Sequence, residues 1–157
     1  MAGSALRVGD KAPDFEVTSS AGRTLRLRDL LGKKNVVLYF YPGDFTPICT
    51  KETCGFRDML ASLGSETTEI IGVSADSDES HRRFASEHNV PFDLVADERR
   101  ELAKAYGATG FLRDILGKVA RKTFVIDKQG RIAAILEGEL RASKHVDGVR
   151  DALRRLS

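Results

Sequence analysis

The chain has 157 residues, 41% hydrophobic and 31% charged, with a net charge of +2. That length suits one domain, residues 1–157, around a single well-buried core, and so weak a charge with no basic cluster gives no argument for nucleic acid. No stretch reaches the ~18 apolar residues of a membrane span. Met1 to Asp10 has no apolar core of signal length, so no membrane partner and a cytoplasmic location are expected.

In chain order, residues 15–18 and 24–26 predict two short strands around the Ser20-Ala21-Gly22 turn, and Asp29-Leu30-Leu31-Gly32 a short helical turn. The run Asn35-Val36-Val37-Leu38-Tyr39-Phe40 predicts a buried strand. A helix follows over 47–63, stopped at Gly64, then a strand over 69–74. A helix over 77–88, opened by Ser77-Asp78-Glu79-Ser80, precedes a strand over 92–96 and a short helix over 98–106. Strands over 122–126 and 131–136 turn through Asp127-Lys128-Gln129-Gly130, and an amphipathic helix over 144–156 closes the chain. Early strand–helix alternation needs parallel crossovers, and the late hairpin needs an antiparallel pair. The fold expected is α/β: a thioredoxin fold with an N-terminal β-hairpin extension and a mixed central sheet flanked by helices.

The chain has two cysteines, Cys49 and Cys54, both in the predicted 47–63 helix. Thr46 suits its N-cap and Pro47 its first position, which puts Cys49 in the first turn, among unpaired backbone donors. A helix end stabilises an anion by about 0.3–1 kcal/mol, less than the ~1.36 kcal/mol of one pKa unit. An activated thiolate needs a nearby cation as well, and Arg121, at the start of a core strand, is expected to supply it.

Five residues along a helix give ~7.5 Å of rise and ~140° of rotation, which separates the two Cα atoms by about 8–9 Å. A disulfide tolerates roughly 7 Å, so bridging requires the first turns to unwind. Such a pair suits a cycle in which one sulfur reacts in the folded helix and the second captures it later.

Simpler readings stand beside these. Cys54 can be a small buried hydrophobe, Thr46 a cap, Arg121 a surface strand residue and Glu52 a solvated helix carboxylate. His81, His88 and His145 are expected on the surface, and two cysteines with scattered histidines do not make a zinc ligand set. A thiol–disulfide exchange protein would favour Cys-x-x-Cys over the Cys-x-x-x-x-Cys present, and a copper carrier would need a histidine placed by a motif.

Pro42-x-x-x-Thr46-x-x-Cys49 resembles the peroxiredoxin active-site motif. Cys49-Thr50-Lys51-Glu52-Thr53-Cys54-Gly55-Phe56-Arg57-Asp58 is similar to the bacterioferritin-comigratory-protein, or peroxiredoxin Q, branch of that family. Arg121-Lys122-Thr123-Phe124-Val125-Ile126-Asp127 resembles the block carrying the family's arginine, and Gly9-Asp10-Lys11-Ala12-Pro13-Asp14-Phe15 its opening. Gly43-Asp44-Phe45-Thr46 is closer to other branches, and 107–120 lacks the tryptophan- and lysine-rich loop common in this one.

The resemblance implies a thiol peroxidase that reduces hydrogen peroxide and organic hydroperoxides. It gives Cys49 the attack on the peroxide and Cys54 the resolution as an intramolecular disulfide. Thioredoxin or a similar dithiol would be the reductant, with no metal or organic cofactor. Thr46 would donate to the peroxide, Arg121 hold the thiolate, Pro42 shield the sulfur and Glu52 orient the arginine. Tyr41 and Phe45, with Phe40 and Phe56, either line an apolar substrate entrance or belong to the core. The branch often works as a monomer, with a weak dimer as the alternative.

Overall fold

The computed structural model describes residues 6–109, 119–138 and 142–156. Most of the 107–120 stretch singled out by its composition lies outside them. Two short strands, β1 (Glu16–Thr18) and β2 (Thr24–Arg26), pair as an antiparallel hairpin, followed by α1 (Leu27–Leu30). The central sheet contains β3 (Asn35–Phe40), β4 (Thr68–Ser74), β5 (Asp93–Ala96), β6 (Lys122–Ile126) and β7 (Ile132–Glu137), in the spatial order β5-β4-β3-β6-β7. The pairs β3/β4 and β4/β5 are parallel, while β3/β6 and β6/β7 are antiparallel. The helices are α2 (Pro47–Leu63), α3 (Asp78–Glu87), α4 (Glu101–Ala105) and α5 (Ala142–Leu156). This mixed sheet with helices on both faces is the expected thioredoxin-fold plan.

Strand β3 is buried along its whole length because it lies at the centre of the sheet with both faces covered. Its alternation divides the core. Val36, Leu38 and Phe40 face a cluster that includes Phe15 and Leu25 of the hairpin segment, and Leu102 and Tyr106 at α4. Val37, Tyr39 and Tyr41 face the opposite cluster, built from Phe56 and Met59 of α2, Phe84 of α3 and Val146 and Val149 of α5. Cys49 belongs to this second cluster and is fully buried.

Helix α4 begins later than the expected 98–106. The Asp97 carboxylate accepts from the backbone N–H groups of Leu102 (3.2 Å) and Ala103 (2.9 Å), and Arg100 takes a left-handed φ of 56°. Asp97 thereby satisfies orphan donors of the first turn from outside, leaving the intervening residues as a turn. Helix α3 starts as expected, with the Ser77 hydroxyl accepting from the Ser80 N–H.

Gly72 of β4 lies beside Tyr39 of β3, and a Cβ there would meet the Tyr39 Cζ and Oη at 2.7 Å and a Leu94 methyl at 2.8 Å. The absent side chain is the space the Tyr39 ring occupies. The hydroxyl of Tyr39 in turn hydrogen-bonds Thr53 of α2 at 2.9 Å. Gly72→Ala is expected to destabilise the fold by about 1–3 kcal/mol through overpacking, read as a lower urea midpoint; an unchanged midpoint would show that Tyr39 has room to move.

Candidate active site

Register brings the distant residues together. Lys122 pairs with Phe40, so β6 starts where β3 ends and Arg121 arrives beside the 41–46 loop and the start of α2. Side chains alternate along a strand, which puts Arg121 on the same side as Thr123 and Val125, facing α2 and α5. Glu52 stands one turn after Cys49 on α2, and both are fully buried.

An Arg121 Nη2–H donates to Cys49 Sγ at 3.1 Å, and an Nη1–H donates to Glu52 Oε1 at 2.7 Å. Arg121 is 5% exposed, so both contacts are sheltered from water. Burial works against the guanidinium charge, but Glu52 and Cys49 outweigh it and hold Arg121 above its ordinary value. A permanent cation thus stands in direct contact with the buried sulfur. Glu52 carries the opposite charge and fixes the arginine fork in that orientation.

The surface placement expected for the histidines is corrected for two of the three. His145 is fully buried on α5, its Nδ1 2.8 Å from the Thr123 hydroxyl and 3.5 Å from Glu52 Oε2. The Gly138 carbonyl accepts from its Nε2–H at 2.9 Å. His81 is fully buried on α3, while His88 is half-buried. Helical spacing carried this signal. His81 stands one turn from Phe84, and His145 lies on the apolar stripe with Ala142, Val146 and Val149, so both positions face the core. Glu52 likewise departs from the solvated reading, because it points between α2 and β6.

Thr46 precedes α2 in extended conformation but does not cap it with its side chain. Its hydroxyl instead donates to the Gly43 carbonyl at 2.9 Å, bracing the loop that carries it. Pro42 is buried in that loop and Thr46 is exposed. Cys54 is half-buried on the same unbroken helix as Cys49, and both are free thiols, so the folded helix does not bring the pair together.

The two aromatic residues considered for an entrance separate. Tyr41 is fully buried, with its ring stacked near Tyr39 at 5.4 Å and its hydroxyl donating to Asp44 at 2.6 Å, so it belongs to the core. Phe45 is 41% exposed at a left-handed φ of 64°, edge-on to Phe84 at 5.1 Å. Phe40 and Phe56 are core residues.

A family model described as the AhpC/TSA family matches residues 8–135. The chain belongs to the AhpC/TSA family. Within it, Peroxiredoxin Bcp of Bacillus subtilis (strain 168) is 43% identical over 155 residues, covering 96% of this chain and 95% of that protein. The chloroplastic peroxiredoxin Q of Arabidopsis thaliana is 39% identical over 140 residues, 88% of this chain and 63% of that one. The crystal structure of the peroxidoxin BcpB from Mycobacterium tuberculosis superposes with a TM-score of 0.84 at 32% identity, over 97% of this chain and 99% of that chain. A Xanthomonas campestris bacterioferritin comigratory protein, studied for its alkyl peroxide reduction, gives 0.79 at 29% identity over 90% of each chain. This AhpC/TSA member is a peroxiredoxin of the Bcp and peroxiredoxin Q kind, a thiol peroxidase.

Removing one member of a buried ion pair leaves the other charge desolvated, at a cost of about 3–5 kcal/mol. Glu52→Ala is therefore expected to lower unfolding stability by about that amount in denaturant titration; a loss below ~1 kcal/mol would mean that the pair is effectively solvent-screened.

Proposed function

We propose that this peroxiredoxin reduces hydrogen peroxide and organic hydroperoxides through Cys49, with Cys54 as the resolving thiol and thioredoxin or a similar dithiol as reductant. The observation that carries the reading is the 3.1 Å contact between Arg121 Nη2 and the buried Cys49 Sγ. The Cys49 thiolate attacks the terminal peroxide oxygen, the O–O bond breaks, and the sulfur becomes a sulfenic acid as the alkoxide or hydroxide leaves and takes a proton. Arg121 holds the thiolate and then faces the oxygen on which charge develops, a role that needs no reorganisation because Glu52 already fixes it. Thr46, exposed at the loop, turns its hydroxyl from Gly43 to the peroxide, and Pro42 keeps water from the sulfur. Phe45, exposed on the same loop, offers apolar contact to an organic substituent.

In the second half, Cys54 attacks the sulfenic sulfur, water leaves and a disulfide forms. A dithiol then reduces it by exchange, releasing two thiols. The cysteines sit on a continuous helix at a separation of about 8–9 Å, so the start of α2 unwinds before they join. Cys49, Glu52, Thr46 and Arg121 come from one chain, which supports action as a monomer. The cytoplasm is the compartment we propose, because a disulfide that must be reduced in every cycle needs a reducing environment.

Stopped-flow reaction with peroxide tests the assignment. Cys49→Ser should abolish consumption, and activity surviving that change would refute the reading. Cys54→Ser should reduce one equivalent of peroxide and then stop turning over with thioredoxin; sustained turnover would assign resolution elsewhere. Arg121→Ala should slow the second-order reaction by roughly 100-fold or more, the scale of a lost charge-stabilising donor; an unchanged rate would remove it from the chemistry.

A further inference from the structure

Behind Glu52 stands a fully buried polar side chain that the peroxide chemistry above does not use. His145, near the start of α5, reaches three other elements with one ring. Its Nε2 lies 2.9 Å from the Gly138 carbonyl, just past β7, and its Nδ1 lies 2.8 Å from the Thr123 hydroxyl of β6. The same Nδ1 lies 3.5 Å from Glu52 Oε2 of α2.

These distances place the ring proton. A backbone carbonyl has only lone pairs to offer, so the Gly138 contact is a hydrogen bond only if Nε2 carries a proton. The bond made by one imidazole nitrogen sets the state of the other. Nδ1 is then left with a lone pair. The Thr123 hydroxyl makes no other hydrogen bond among the described residues, so its proton goes to Nδ1.

The spacing to Glu52 agrees. A protonated nitrogen facing a carboxylate closes to about 2.7–2.9 Å, whereas two groups that both present lone pairs stay farther apart. A charged ring would make the same bonds to Gly138 and Thr123. Its second N–H, however, would be drawn to Glu52 rather than left 3.5 Å away.

Gly138 is suited to setting the tautomer. Its φ of 129° lies in the region that favours glycine, so the course of the backbone there depends on a residue without a Cβ. A Cβ would meet nothing closer than Lys144 Nζ at 3.7 Å, an ordinary contact, so the constraint is conformation rather than space.

The tautomer decides what the active-site carboxylate sees. Glu52 Oε1 accepts from Arg121 at 2.7 Å, and the same guanidinium reaches Cys49 Sγ. An Nδ1–H ring would aim a donor at Oε2 and divide the carboxylate between α5 and β6. An Nε2–H ring backs Oε2 with an edge that carries no proton. We propose that His145 is a positioning residue of the peroxidase site: a neutral imidazole, set in its Nε2–H tautomer by Gly138, that backs Glu52 without donating to it and so keeps the carboxylate on Arg121. Its effect on rate rests on the peroxidase reading; its tautomer does not.

Nitrogen-detected NMR of the full-length chain tests the tautomer. At neutral pH the His145 ring should carry one proton, on Nε2, and the Thr123 hydroxyl proton should exchange slowly enough to be observed. A proton on Nδ1, alone or together with one on Nε2, would overturn the proposal.

Two amide variants separate positioning from packing. His145→Gln carries its side-chain nitrogen to where Nε2 stands, keeps a donor for Gly138 and turns only methylenes toward Glu52. His145→Asn carries its amide to where Nδ1 stands, and the carboxylate draws the NH2 group toward itself rather than the oxygen. Reaction with peroxide should stay within about threefold of wild type in His145→Gln and slow by about tenfold in His145→Asn. The Arg121 side-chain N–H signals should keep their exchange protection in the first variant and lose it in the second.

Equal rates in the two variants, or a slower His145→Gln, would refute the positioning role, since a purely structural ring has no reason to prefer the longer amide. If neither variant folds, the wild-type ring signals still decide. A wild-type chain inert to peroxide would refute the peroxidase reading, while the ring tautomer and the Arg121 protection would continue to test the hold on Glu52.

Discussion

One buried contact organises this molecule: the Arg121 guanidinium donating at once to the Cys49 sulfur and the Glu52 carboxylate. Burying a guanidinium is costly unless its charge and its N–H groups are matched, and here a sulfur and a carboxylate on one helix face do both. The contact couples α2 to the start of β6 and thereby ties the nucleophile to the sheet. It also explains why a carboxylate is tolerated at complete burial in the apolar layer between sheet and helices.

The rest of the fold can be understood as holding that contact in register. The antiparallel pairing of β3 and β6 delivers Arg121 to the end of the sheet where α2 begins. Tyr39 crosses Gly72 to reach Thr53, which fixes the helix one turn beyond Cys49. His145 closes the far side of Glu52 from α5 and is itself hydrogen-bonded to Thr123 of β6. On the near side, Asp44 and Asp76 hold the 41–46 loop through the cluster around His81. The nucleophile thus has one polar network behind it and another beneath the loop that covers it.

Family membership and physical reading meet at different depths. The match over 8–135 and the 43% identity to a Bacillus subtilis Bcp establish a peroxiredoxin. The reactivity of a particular sulfur rests on its surroundings. Cys49 and Cys54 have the same chemistry, but one touches a buried guanidinium and the other stands half-exposed on the far turn of the same helix. An unbroken α2 keeps them apart, so any bridge between them is linked to loss of helix, and the helix contributes the packing of Phe56 and Met59 against that loss.

The amino-acid order by itself determined the strands, most helix limits and the pairing logic of the sheet, because apolar periodicity, glycine stops and the 127–130 turn are local signals. It also marked Cys49 through the strand, the Thr46-Pro47 start and the spacing to Cys54. Tertiary structure alone decided which polar side chains are buried together. Glu52, His81 and His145 are residue types expected at the surface, yet each sits on the inward face of its helix, where partners far along the chain offset the cost of burial. Asp97 delayed α4 and Thr46 gave its hydroxyl to Gly43 for a local reason, since nearby backbone groups compete for the same side-chain oxygens. Periodicity can place a residue on a face, but the partner that matches its charge is fixed only when the sheet register brings distant segments into contact.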